Sequence, residues 1–296
     1  MSGISTNRTN ITLPAEVSAE ILQKTQDQSA VMSLARQIAL PGRGLSIPVI
    51  TGDPAAEWVA ETGEKPVSNP SLTTKIMTPY KLAVIVPFSM EFRRDAKALY
   101  DALVQRLPLA LAAKFDATVF HGTAPGSGFD TFAAVTGQSI SGTGNSFYNG
   151  IVAADEAIAT AGGILTGFAM SPQAKGEMLK AVDNNKRPLF INNVAEGAVP
   201  MLIGAPVNYA KAAYKAGDSN NADVIGFAGD WTQAMYGTVE GVQITISDQA
   251  TLTYTENSQT VTLNLWQRNM FAVRAEIEVG FVADTSVFNK ITRTHA

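Results

Sequence analysis

Cysteine is absent from this chain of 296 residues. That removes disulfides, thiolate metal sites and cysteine nucleophiles together, and it is compatible with assembly in a reducing compartment. Histidine is nearly absent: His121 and His295 stand far apart in the sequence, which leaves little for an imidazole metal site or a catalytic triad. Charged residues make up 16%, against a usual value of about 25%. The net charge of -4 offers no positive field to neutralise phosphates, which argues against a sequence-specific nucleic-acid reader. Long apolar runs are missing as well. No stretch of about 18 apolar residues suggests a membrane span, and the polar start MSGISTNRTN lacks the apolar centre of a signal peptide. The expectation is a soluble protein made in the cytosol, with no membrane partner.

What is present is a chain that is 46% hydrophobic and long enough to form one large domain or two smaller ones. At this length a compact fold buries roughly three quarters of its unfolded surface. A surface so poor in charge must be covered by Ser, Thr, Asn, Gln and Gly, or by neighbouring copies of the chain. Composition does not choose between these.

Residues 13–38 read as an amphipathic arm, with Pro14 at a first helical position and Val17, Ile21, Leu22, Val31, Leu34 and Ile38 at helical spacing. LPGRG stops it at 40–44. From Thr74 to Phe92 the apolar residues fall on even positions (Ile76, Tyr80, Leu82, Val84, Val86, Phe88), a period of two over about three times the usual strand length. Residues 45–92 are therefore read as one long ribbon, outgoing near 45–60, turning near 61–72 and returning at 73–92. Pro48, Pro79 and Pro87 suit an edge or a bend, and an isolated two-stranded ribbon needs a partner surface. Next comes a long helix with Leu99, Leu103, Leu107, Leu111, Phe115 and Val119 at steps of four, Asp95 as cap, Gly122 as stop and Pro108 as a kink. A helix near 146–161, a short strand in GILTGFAM and a helix opened by Ser171-Pro172 follow. After 199 come seven short strands and then, as the last element, the alternating segment NMFAVRAEIEVGFV, read as half-buried. The class is α+β.

The sequence puts forward no catalytic residue, no metal-ligand set and no cofactor. His121 is expected to act as a cation at the negative end of the long helix, and His295 to lie in a frayed tail. GTAPGSG follows a helix instead of a strand and lacks the Gly-Lys-Ser/Thr ending of a phosphate loop. The segment EWVAETGEKP at 57–66 concentrates charge. Glu57, Glu61 and Glu64 could be paired carboxylates, solvated charges or intersubunit salt bridges, and an exposed tip holds acid/base geometry poorly. Trp58 is better read as an anchor in another surface. Glu57, Trp58, Glu61, Glu64, Lys65 and Lys75 are the candidate contacts.

The order of LPAEVSAEIL, SAVMSLARQI, AEWVAETGEKP, TTKIMTPYKLAVIVPFSMEF, KFDATVFHG, LIGAPV and FAGDW, closed by the last strand, resembles the major capsid proteins of tailed bacteriophages with the Hong Kong 97 fold. The resemblance implies an N-terminal arm at 1–44, an extended loop at 45–92 lying over a neighbouring subunit, a peripheral domain at 93–135 and 248–296 with the long helix as spine, and an axial domain at 136–247. It further implies hexamers and pentamers closing an icosahedral shell around double-stranded DNA, without sequence-specific binding. Portal and decoration proteins are implied partners. Many relatives carry a scaffolding segment before the arm, and about a dozen residues precede Leu13 here; if Met1 is the native start, a separate scaffolding protein, or none, is implied. The expected location is the virion, assembled in the host bacterial cytoplasm. Some relatives crosslink a ribbon lysine to a neighbour's asparagine; Lys65, Lys75 and Asn257 are available, but the local sequence does not match them to that chemistry. The rival readings are an encapsulin-type cage holding an enzyme cargo and a soluble hydrolase or lectin-like β protein.

Overall fold

The computed structural model describes residues 24–26, 28–50, 58–59, 72–91, 96–141, 146–182, 187, 201–256 and 258–295. In chain order the first elements are α1 (Ala30–Leu34), β1 (Arg36–Ala39), β2 (Leu45–Ile50), β3 (Leu72–Met77), β4 (Tyr80–Ser89) and α2 (Ala96–His121). The middle holds β5 (Gly137–Ser139), α3 (Ser146–Thr160), β6 (Gly167–Met170), α4 (Pro172–Lys180), β7 (Met201–Leu202), β8 (Ala205–Tyr209) and β9 (Asp223–Gly229). The chain closes with β10 (Ala234–Thr238), β11 (Gln243–Ser247), β12 (Thr251–Glu256), β13 (Gln259–Asn264), β14 (Met270–Ala283) and β15 (Phe288–Arg293).

Local chemistry accounts for the helix ends. Ser171 accepts the Ala174 amide at 3.2 Å and Pro172 fills the first helical position of α4, where no amide donor is needed. The end of α3 is closed by two bonds, Gly163 amide to Ile158 carbonyl and Gly162 amide to Ala159 carbonyl, which require the left-handed φ of +85° at Gly162. α2 runs through Pro108 and stops at His121 before Gly122, as its spacing predicts; Asp95 lies outside the described residues.

Two sheets organise the fold. In the first, β14 is flanked on both edges: Arg274 is in register with Ile85 of β4 and with Thr245 of β11, so these two strands must lie on opposite sides. β10 continues on the β11 side, and β1 pairs parallel to β10. The second sheet has the order β5-β15-β9-β6-β8-β7. Its register slips at Ile225, between the pairs Gly226–Ile291 and Val224–Thr292. That bulge breaks the alternation of β9, so Ile225 and Ala228 both join the cluster with α3 and α4, while Val224 and Phe227 join the cluster with α2. Between the sheets Phe132 is fully buried, stacked on Phe288 at 4.4 Å and edge-on to Phe281 and Trp231.

Several expectations are corrected. The segment 73–92 is not one return arm: β3 pairs with β2, but from Tyr80 onward β4 pairs with β14, and Pro79 stands at the change of partner. The arm is not helical through Ile38, which lies in β1 in register with Gly237. Of GILTGFAM only residues 167–170 form a strand, and Ile164 is exposed. β14 is half-buried only in its middle, because Ala272 at one end and Gly280 and Val282 at the other are covered on the second face as well. The chain does not end on that strand, since β15 follows and sits inside the other sheet. The cuts at 135/136 and 247/248 do not coincide with the sheets: β10 and β11 join β14, while β15 joins β5 and β9.

Candidate assembly surfaces

The β2–β3 ribbon pairs antiparallel over six register positions, Leu45–Met77 to Ile50–Leu72. Its root is held by contacts from three elements. Lys75 Nζ donates to Asp130 Oδ2 at 3.1 Å and to the Ala283 carbonyl at 2.7 Å, while Asp130 Oδ2 also accepts the Ala283 amide at 3.0 Å. The Thr78 amide donates to the Gly128 carbonyl at 3.0 Å and the Tyr80 hydroxyl to the Ser127 carbonyl at 2.7 Å. Gly128 has a φ of +76°, and a Cβ there would lie 2.6 Å from the Ile76 carbonyl oxygen. Beneath the root, Met77, Leu40 and Val282 form a buried cluster with Leu45 and Ile47 at its rim. The ribbon therefore leaves the body in a direction set by side-chain and backbone contacts together.

Among the sequence candidates, Lys75 is thus engaged within its own chain at this root. Trp58 is fully exposed. Glu57, Glu61, Glu64 and Lys65 lie outside the described residues, as does Asn257.

A second lock holds the segment before β1. Asp116, on the apolar side of α2, is buried and accepts Ser29 Oγ at 2.5 Å, the Ala30 amide at 2.9 Å and the Val31 amide at 3.4 Å. A carboxylate thus faces the free amides that open α1, where negative charge is favoured. Burial nevertheless dominates and pushes its pKa up to about 6, with the three hydrogen bonds working against that rise. An aspartate falling among Ala112, Phe115 and Val119 on the core side of a helix is the signal that could have found it.

Both histidines depart from expectation. His121 does not act as a cation: burial pushes its pKa down to about 4, and its Nε2 lies 3.2 Å from the Ala213 carbonyl, so the ring is neutral at pH 7. His295 is no frayed tail, because its Nδ1 lies 2.7 Å from Asp223 Oδ1. Asp223 also accepts the Gly217 amide at 2.8 Å and Arg293 Nε at 3.0 Å, and Arg293 reaches Glu177 at 2.9 Å. The Gly217 amide first, then His295 and Arg293, hold the Asp223 carboxyl down at about 2.

At the edge of the six-stranded sheet, β7 and β8 form a hairpin with Leu202 opposite Ala205. The two turn residues, Ile203 and Gly204, have φ of +47° and +78°. This is the geometry favoured by Asn-Gly. For a β-branched residue the left-handed region costs roughly 1–2 kcal/mol. Ile203 is 48% exposed and Met201 57% exposed, so neither gains full burial in return.

Residues 9–286 match the phage capsid family. The chain belongs to that family. Among its relatives, a probable major capsid protein of Mycobacterium phage L5 is 30% identical over 96% of this chain and 90% of the relative. Among solved structures, a chain from Gordonia phage Cozz superimposes with a TM-score of 0.69 at 21% identity, covering 91% of this chain and 87% of that one. A chain from the capsid of a native GTA particle, computed with C5 symmetry, gives a TM-score of 0.63 at 14% identity, covering 99% and 95%.

Proposed function

We propose that this chain is the major capsid protein of a tailed bacteriophage or prophage, that copies of it form hexamers and pentamers, and that these close an icosahedral shell. The observation that carries the reading is the family match over residues 9–286 together with a capsid relative 30% identical along nearly its whole length. The fold supplies a physical means. A ribbon root anchored at Lys75, Met77 and Thr78 fixes where β2 and β3 leave the body. The acidic segment at 57–66, with Glu57, Trp58, Glu61, Glu64 and Lys65, is the part of that ribbon offered to a neighbour. Heterologous contacts of this kind generate rings.

The shell encloses double-stranded DNA held by confinement and counterions, in keeping with a net charge of -4. The protein acts structurally, without catalysis or cofactor, and its place is the virion after assembly in the host cytoplasm. Scaffolding, portal and decoration proteins are its further partners. The test is expression with scaffold supplied, followed by sedimentation and electron microscopy. Megadalton particles are expected, and particles recovered from infected or induced cells should contain DNA. Particles filled with a protein cargo and no DNA would mark a storage cage of the encapsulin type instead. A chain that stays monomeric under these conditions would refute the capsid reading.

A further inference from the structure

We propose that the β7–β8 hairpin is an apolar knob that docks on a second copy of this chain, with Met201 and Ile203 as the inserted side chains. The inference rests on the capsid reading above and adds a contact separate from the ribbon: a strained tip at the edge of the six-stranded sheet.

Three observations converge on it. The hairpin is built to hold its tip still: Leu202 and Ala205 are buried in the cluster with α3 and α4 and face each other in register, which leaves a turn of only two residues. Those two residues take left-handed backbone, where Asn or Gly would be unstrained, yet the first of them is Ile203. Finally, among the described residues the strain is not matched by burial: Ile203 and Met201 are about half exposed, while their neighbours Leu202 and Ala205 are buried. A strained conformation persists where the surroundings, or a partner, over-determine it. A tip whose backbone is fixed and which presents two exposed apolar side chains has the properties of an interface anchor.

The occupant is another copy of the same chain. Only 16% of this sequence is charged, so its surface needs covering, and in a shell-forming family the most concentrated neighbour is an identical subunit. β7 is also the terminal strand of its sheet, with no strand beyond it among the described residues, so the knob stands at an edge where a neighbour can approach. In a ring the knob would meet a different surface on the next copy, a heterologous contact.

The decisive variant is Ile203→Asn. Asparagine tolerates left-handed backbone, so the unassembled subunit should melt at a higher temperature than wild type, while the protein concentration needed for half-maximal assembly should rise about tenfold or more. This opposition separates the knob from a residue of the chain's own core, for which stability and assembly would fall together. A second variant reports contact directly. The natural chain has no cysteine, so Met201→Cys introduces a unique thiol. It should react rapidly with a maleimide probe in the free subunit and at least tenfold more slowly in the particle. Equal labelling rates in the two states, or an Ile203→Asn chain that assembles at the wild-type concentration, would overturn the knob while leaving the capsid reading standing. A wild-type chain that forms no particle would overturn that reading and the knob with it.

Discussion

Gly237 of β10 and Gly280 of β14 stand opposite each other in register, and Met77 from the ribbon root fills the space that their missing side chains leave. A Cβ on Gly280 would lie 2.8 Å from Met77 Cγ and 3.0 Å from the Thr78 carbonyl oxygen, and one on Gly237 would lie 2.9 Å from Leu40 Cβ. The direction of the ribbon therefore depends on two residues of the central sheet that carry no side chain. Gly280→Val should destabilise the subunit by about 1–3 kcal/mol through overpacking, read as a lower urea midpoint with unchanged slope. It should also shift backbone chemical shifts around Met77. An unchanged midpoint would show that the root repacks freely.

Asp130 and Lys75 each make two bonds at the ribbon root, but Asp130 Oδ2 accepts a backbone amide, that of Ala283, whereas the Lys75 ammonium is partly exposed to water. Lys75→Met removes a partly exposed ion pair and one bond to a carbonyl, and should cost less than about 1 kcal/mol. Asp130→Ala leaves the Ala283 amide without this partner and should cost about 1–2 kcal/mol. The ranking is checked by thermal unfolding of the two variants, and a greater loss for Lys75→Met would reverse the assignment.

The Asp116 carboxyl makes a pH-dependent contribution whose sign follows from its raised pKa. The contribution is fully present below the ordinary value near 3.8 and is lost as pH rises through about 6. Asp116→Asn removes this titration. Relative to the asparagine variant, the wild-type subunit should therefore lose on the order of 2–3 kcal/mol between pH 4 and pH 7. Paired denaturant titrations at several pH values measure this difference, and parallel stability curves would rule it out.

Trp58 is fully exposed in the single chain. Trp58→Ala should leave the melting temperature of the unassembled subunit nearly unchanged, within the ±0.5 kcal/mol usual for surface positions. Assembly should be impaired much more strongly. Equal losses in the two assays would place Trp58 in a contact within its own chain.

Much of the fold is legible one segment at a time. The alternation from Leu82 to Phe88 appears as alternating burial in β4, the Ser171-Pro172 opening appears as the cap of α4, and all seven strands expected after residue 199 are present. The candidate sites are less legible. Asp116 sits in an ordinary helical sequence, and its role depends on Ser29, 87 residues away. Asp130 lies in a loop whose composition gives no sign of the Lys75 contact, 55 residues distant. His295 reads as tail until β15 carries it beside Asp223.

Periodicity and capping act over a few residues, and they suffice for the inward face of β4, the cap of α4 and the end of α2 at His121. Which strand covers which depends on contacts distant in the chain. The run from Thr74 to Ser89 reads as one period of two in the sequence, yet it serves the ribbon up to Met77, where Ile76 is exposed and Met77 buried, and the central sheet from Tyr80, where the even positions are the more covered ones. Alternation specifies a buried face but carries no address for the strand that pairs with it. That address comes from shape, here from Gly237 and Gly280 making room for Met77 and from Gly128 admitting the backbone at Ile76 and Thr78.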